Sequence, residues 1–113
     1  MDSRQLLLIT FVGTGLILSI LAIPMIMGLI GPNPFYGFRT RKSMSNREVW
    51  YEINAYSGWW LLADGLIVAL VAAVVYAAFP GFDKDIYSSV MGIVVIVLLA
   101  VTMVVSLNRL KTL

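Results

Sequence analysis

The chain of 113 residues contains no cysteine and no histidine, and only 12% of its residues are charged. Without cysteine there is no disulfide framework, no thiolate nucleophile and no iron–sulfur ligand set. Without histidine as well, imidazole ligation of zinc or haem and every Ser-His catalytic arrangement are excluded, so the sequence implies neither a metal nor a cofactor. The net charge of +2 is too small to mark a nucleic-acid surface. An intramembrane aspartyl protease needs two carboxylates at membrane depth, and only Asp64 lies inside a hydrophobic run; a Ser-Lys dyad needs a buried lysine, and Lys84 and Lys111 lie outside the runs. The chain therefore reads as a non-enzyme. What it has in excess is hydrophobic residues, at 60%, where soluble domains average about 45–50% with about 25% charge.

These residues are concentrated in three runs. Leu6 to Ile30 is free of charge over 25 positions, and crossing a hydrocarbon core of about 30 Å takes about 20 apolar residues. Pro24 predicts a kink near the end of this run and Gly31-Pro32-Asn33-Pro34 predicts its stop. The run is longer than the roughly 7–15 apolar residues of a secretory signal and has no small-x-small cleavage site after it, so it reads as a span. Trp59 to Phe79 is interrupted only by Asp64, and Val90 to Leu107 has no charge. Ten Leu, Ile, Val and Phe in the second run contribute about −3 to −6 kcal/mol to insertion, which outweighs about +2.5 to +3.5 for one central Asp. The short turn Phe79 to Asp85 makes runs two and three an antiparallel hairpin. The expected fold is an all-α integral membrane three-helix bundle in one domain, residues 1–113, with spans at about 6–30, 59–79 and 88–107.

Basic residues set the expected orientation. Arg39, Arg41, Lys42, Arg47, Arg109 and Lys111 collect on one side, and only Arg4 and Lys84 on the other. The positive-inside rule then puts the segment 31–58 and the C-terminus in the cytoplasm and the N-terminus outside, in a multi-pass protein of the cell membrane. Eight of the 13 aromatics lie between positions 35 and 60, where rings and long cations favour the headgroup layer. Ser45-Asn46-Arg47-Glu48 has the form of a capping box. A helix from there to Phe79 would be about 51 Å long, so it either projects into the cytoplasm or bends near Ser57-Gly58. In the bent form an interfacial helical segment precedes the second span, with Ile53, Tyr56 and Trp60 dipping into the membrane.

At 100° per residue, Trp50, Asn54, Ser57, Gly58, Leu61, Asp64 and Gly65 share one arc of about 120°. Such a small and polar stripe normally faces other helices. Three readings stand side by side: helix packing alone, a polar pocket formed by Asn54, Asp64 and a loop arginine at the cytoplasmic mouth, or Asp64 snorkelling toward water. The small-xxx-small pairs Gly15/Ser19 and Ala69/Ala73/Ala77 are weak signals in a chain so rich in Gly and Ala.

Asn33-Pro34-Phe35-Tyr36-Gly37-Phe38-Arg39-Thr40, with Ser43-Met44 and then Trp50, Asn54 and Gly58, resembles the signature of the SdpI family. That signature is N-x-x-[FY]-G-[FIY]-R-T-x-x-[TS]-[LM] followed by W-x-x-x-N-x-x-x-G. The family is named for the membrane immunity protein against the sporulation-delaying toxin. The resemblance is strong over residues 33–58 and implies a protein that protects its producer from a secreted peptide toxin. It also implies a signalling role, in which a cytoplasmic transcriptional repressor is held at the membrane. In the founding member further transmembrane helices precede this module, so the fold transfers more securely than immunity. The residues carried over are Asn33, Gly37, Arg39, Thr40, Ser43, Trp50, Asn54 and Gly58, with Asp64 added from the stripe.

In physical terms Gly37 would permit a turn closed to other residues, letting Arg39 reach Asp64 or Glu52 in an ion pair, or a lipid headgroup. Thr40 and Ser43 would cap or close the loop against Asn54, and Arg41 and Lys42 would be solvated or lipid-facing. A partner-binding membrane module leads the function classes. A transport or ion-coupling module using Asp64 and Arg39, or an accessory subunit of a membrane complex, are the alternatives. A homo-oligomer or bound partner would help to cover the polar stripe.

Overall fold

The computed structural model describes residues 1–113, and its secondary structure is all α-helix: α1 (Ser3–Ile26), α2 (Arg41–Ser45), α3 (Arg47–Ala78) and α4 (Lys84–Leu110). Three of the four, α1, α3 and α4, are long and apolar enough to cross a membrane, and they form a bundle about 50 Å long. α3 lies at the centre, against α1 on one side and α4 on the other, while α1 and α4 touch little. Only 19 of the 113 residues are buried, because the outer faces carry Leu, Ile and Val that lipid covers in place of protein.

The contact between α1 and α3 is built from small residues. Gly15, Ser19 and Ala22 of α1 are buried against Gly58 and Gly65 of α3, and the Ser19 hydroxyl donates across the interface to the Leu62 carbonyl at 2.9 Å. A Cβ on Gly65 would stand 2.8 Å from the Ser19 backbone nitrogen, and one on Gly58 2.8 Å from Ile26. The Gly15/Ser19 pair, a weak signal by sequence, is thus the seam of the molecule. In the alanine series Ala69 is half-buried and faces Gly15, while Ala73 and Ala77 are exposed.

The expected α3–α4 hairpin is present, joined by the turn at Phe79 to Asp83. Its two helices meet through buried polar pairs: Ser57 donates to Ser106 at 2.8 Å, and Thr102 donates to the Asp64 carboxylate. Nearer the hairpin turn, Tyr87, Val68, Ala72 and Met91 form an apolar cluster, with the Tyr87 hydroxyl donating to the Ala72 carbonyl at 3.0 Å. Arg4 reaches over the Tyr76 ring, 4.6 Å from its centroid, and donates to the carbonyls of Tyr76 at 3.1 Å and Phe79 at 3.2 Å. A cation therefore sits on the negative C-terminal end of α3.

Several boundaries differ from the sequence expectation. Pro24 lies inside α1 without ending it, and the helix stops at Ile26, ahead of the Gly31-Pro32 segment. Gly28 takes φ +70°, Leu29 N–H donates to the Pro24 carbonyl at 3.0 Å, and Gly28 N–H donates to Met25 at 3.3 Å; together these are a Schellman termination. Ser45 is not the N-cap of α3. Asn46, extended at φ −139° and ψ 121°, accepts from the Glu48 and Val49 amides, and Ser45 closes α2 by donating to the Lys42 carbonyl. The capping box belongs instead to Thr40 and Ser43 at the start of α2.

α3 is one unbroken helix of 32 residues, about 48 Å at 1.5 Å per residue. The bent alternative is therefore not the one adopted. Ile53, assigned there to a membrane-dipping face, is buried within the protein. The first turns of α3 project because the segment 27–46 folds back around them.

Two glycine substitutions should act in opposite directions. Gly65→Val would separate α1 from α3, and we expect a loss of about 1–3 kcal/mol or more. Nothing lies within 4 Å of a Cβ added to the α4 residue Gly92, so Gly92→Ala should be neutral or stabilising by up to about 1 kcal/mol. Thermal unfolding of the detergent-solubilised protein checks both.

Candidate functional site

The motif residues converge where segment 27–46 closes over the projecting end of α3. Asn33 folds the first half of this segment alone: its carbonyl oxygen accepts from the Phe35 amide at 2.9 Å and the Tyr36 amide at 2.8 Å, and its amide donates to the carbonyls of Gly31 and Tyr36. Asn and Asp close turns in this way because their side chains imitate a backbone group. The turn holds Phe35 outward, 89% exposed.

Gly37 follows at φ +115°, a conformation L side chains rarely adopt. A Cβ here would also lie 2.6 Å from Asn54 Oδ1 and 2.9 Å from the Trp50 ring. The chain passes that close so that the Phe38 amide can donate to Asn54 Oδ1 at 2.7 Å. Asn54 in turn donates to the Trp50 carbonyl at 2.9 Å, and the Trp50 indole donates to the Ile30 carbonyl at 2.7 Å. Trp50 and Asn54 are one turn apart on α3, so two buried side chains of one helix fasten the loop at two points.

Beyond Phe38 the capping box takes over. Thr40 N–H donates to Ser43 Oγ at 2.7 Å and Ser43 N–H to Thr40 Oγ1 at 3.1 Å, while the Ser43 hydroxyl donates to the Phe38 carbonyl at 3.0 Å. Both backbone polar groups of Phe38 are therefore satisfied by motif side chains, Asn54 on one side and Ser43 on the other. The expected closure of Thr40 and Ser43 against Asn54 is made through Phe38.

Three expected placements fail. Arg39 is exposed and its guanidinium donates to the Pro34 carbonyl, meeting neither Asp64 nor Glu52. Glu52 lies 3.8 Å from Arg109, and Asp64, 3% exposed, pairs with Thr102. Asn54 and Asp64 are ten positions apart, about 15 Å along α3, and form no common polar pocket; Asp64 does not snorkel to water either. Gly58 serves the α1 contact, one turn below Asn54. Lys42 is exposed as expected, and it also donates to the Leu110 carbonyl at 2.8 Å, capping α4 as Arg4 caps α3. Sequence reasoning also passed over Tyr36, whose hydroxyl is buried without a hydrogen-bond partner; burial pushes its phenol above the usual 10.0.

Asn54→Ala would leave the Phe38 amide unpaired and should cost about 1–3 kcal/mol in detergent unfolding; Gly37→Ala should be at least as damaging, since it adds backbone strain. Tyr36 gives a pH dependence. With its folded pKa raised above the unfolded 10.0, its contribution is complete below about pH 10 and lost as pH rises through the folded value. Tyr36→Phe should be as stable as wild type or more so at neutral pH, and should lose less stability above pH 10.

A model of the SdpI/YfhL protein family matches residues 30–107, which takes in the folded motif segment, α3 and most of α4. The "Uncharacterized protein YfhL" of Bacillus subtilis strain 168 is 46% identical to this chain over 37 residues, 33% of this chain and 34% of that protein. The matched part thus spans about a third of that relative's length. No solved structure matches. The hydrogen-bonded motif at the end of the bundle, together with a family match over more than half of its length, identifies this chain as a membrane protein belonging to the SdpI/YfhL family.

Proposed function

We propose that this protein acts by binding without catalysis, conferring immunity to a secreted peptide toxin and signalling through a partner, such as a transcriptional repressor, held at its cytoplasmic face. Family membership supports the class. The observation that carries it is the use made of the motif: Asn33, Thr40, Ser43, Trp50 and Asn54 spend their polar groups on fixing one loop, and Gly37 supplies its turn. What the fixed loop offers is Phe35 at its tip, with Arg39 and Arg41 exposed nearby. An aromatic and cations held on a rigid support suit recognition, since little conformational entropy is lost on contact.

The arrangement of basic residues supports a multi-pass topology in the cell membrane with this loop and the C-terminus in the cytoplasm. In that orientation a repressor would meet Phe35 and the arginines, and an extracellular toxin would meet the hairpin turn and the N-terminus. The transport reading is less well supported, because Arg39 and Asp64 do not meet and Asp64 is held by Thr102.

Expression of the protein in toxin-sensitive cells should raise survival on exposure to the cognate sporulation-delaying-type toxin. Phe35→Ala with Arg39→Ala should leave membrane levels unchanged while abolishing recruitment of the repressor, read by fluorescence microscopy of a tagged repressor. Unchanged killing across a panel of related toxins, with the protein present in the membrane, would remove the immunity reading.

A further inference from the structure

Trp59 and Phe79, both exposed, bound the part of α3 that lipid surrounds. They are 20 positions apart, about 30 Å of helix, which is the depth of the hydrocarbon core. Asp64 lies five positions inside that stretch and is 3% exposed. Its one hydrogen-bond partner is the Thr102 hydroxyl, and neither ion pair of the molecule includes it. No cation stands within reach on any of the three helices. α1 has no titratable side chain after Arg4, α3 has only Asp64 between Tyr56 and Tyr76, and α4 has none between Tyr87 and Arg109. Arg109 is seven residues beyond Thr102, about 10.5 Å along α4, and is engaged with Glu52. Arg4 is held at the hairpin end by the carbonyls of Tyr76 and Phe79.

We propose that Asp64 and Thr102 form a reversible proton-binding site, in which Asp64 is a neutral carboxylic acid and the α3–α4 contact is linked to its proton. A carboxylate inside hydrocarbon with one neutral partner is costly, and the group takes up a proton in place of a counter-ion. A hard metal cation is the poorer ligand, since it needs about six oxygens and Asp64 with Thr102 offers three. The hydroxyl suits both states: it donates to the ionised group and accepts from the protonated one, so the contact keeps its geometry while the charge changes. A route for the proton is present as well. The apolar slot of about 340 Å³ between α1 and α4 is lined by Ser57 and Thr102 and closed at one end by Tyr36 to Phe38 of the motif loop. Toward the hairpin turn the cluster of Val68, Ala72, Tyr87 and Met91 fills the bundle. With no second carboxyl deeper in α3, the site binds a proton and offers no relay across the membrane.

Infrared spectroscopy of the whole protein in an ester-free detergent at pH 7 tests this directly. The other five acidic side chains are exposed and therefore ionised at that pH, so wild type should show one carbonyl band of a protonated carboxyl, and Asp64→Asn should lack it. The band should shift on transfer to deuterium oxide, as an exchangeable proton requires. Wild type should also lose stability relative to Asp64→Asn as pH rises, with its unfolding constant increasing by up to tenfold per pH unit. The wild-type band carries the reading even where the variant folds poorly. Absence of the band, a band unmoved by deuterium oxide, or a stability difference between the two proteins that is the same at pH 6 and pH 9 overturns the proposal. None of these measurements involves a toxin or a repressor.

Discussion

Irregular backbone packed away from water must find its hydrogen-bond partners within the protein, because an unpaired buried amide or carbonyl is costly. Most of the family motif answers that constraint. Between the end of α1 and the start of α3 the chain has only one short helix, so its remaining amides and carbonyls need side chains to meet them. Asn33 satisfies four backbone contacts, Asn54 and Ser43 hold the two polar groups of Phe38, and Trp50 takes the Ile30 carbonyl. Gly37 is needed because the supporting side chains stand so close that a Cβ would overlap them. The motif is consequently a set of dependent parts, in which Asn54 has little to do without Gly37 and Gly37 has no reason without Asn54.

The same constraint determines the form of α3. A helix about 48 Å long exceeds the hydrocarbon core by a wide margin, and the excess is occupied by the loop that it supports. Below that level the bundle holds together by close backbone approach at Gly15, Gly58 and Gly65 and by hydroxyl pairs at Ser57/Ser106 and Thr102/Asp64. Apolar residues are buried at both ends, around Tyr87 near the hairpin turn and at Trp50 and Ile53 beneath the loop. A molecule organised in this way is closed along the α1–α3 seam, where the backbones approach closely, and open between α1 and α4, which touch little.

Much of this was legible in the sequence. Three hydrophobic runs, the second carrying only Asp64, gave the spans, and the 3.6-residue period of Trp50, Asn54, Ser57, Gly58, Asp64 and Gly65 gave the inner face of α3. Short-range chemistry was harder to place. The stop of α1 at Gly28 was masked by the stronger-looking Gly-Pro-Asn-Pro that follows, and Ser45 looked like a cap because Asn46, the real one, stood beside it. The Arg39–Asp64 pairing failed for a different reason: charge attraction says nothing about depth, and the two residues belong to different levels of the bundle. Gly15/Ser19 was undervalued because small residues are common in this chain, and only the facing surface of α3 distinguishes the pair that is used.

Arg4 has a consequence for how the first helix is held. Its acceptors, the carbonyls of Tyr76 and Phe79, lie 72 and 75 residues later in the chain, and the Ser19 hydroxyl bonds a residue 43 positions later. The polar contacts that seat α1 are therefore all long-range, made with residues of α3 and the turn after it. α1 thus depends for its place on the central helix, and the Arg4 contacts lie at the far end of that helix, beside the hairpin turn.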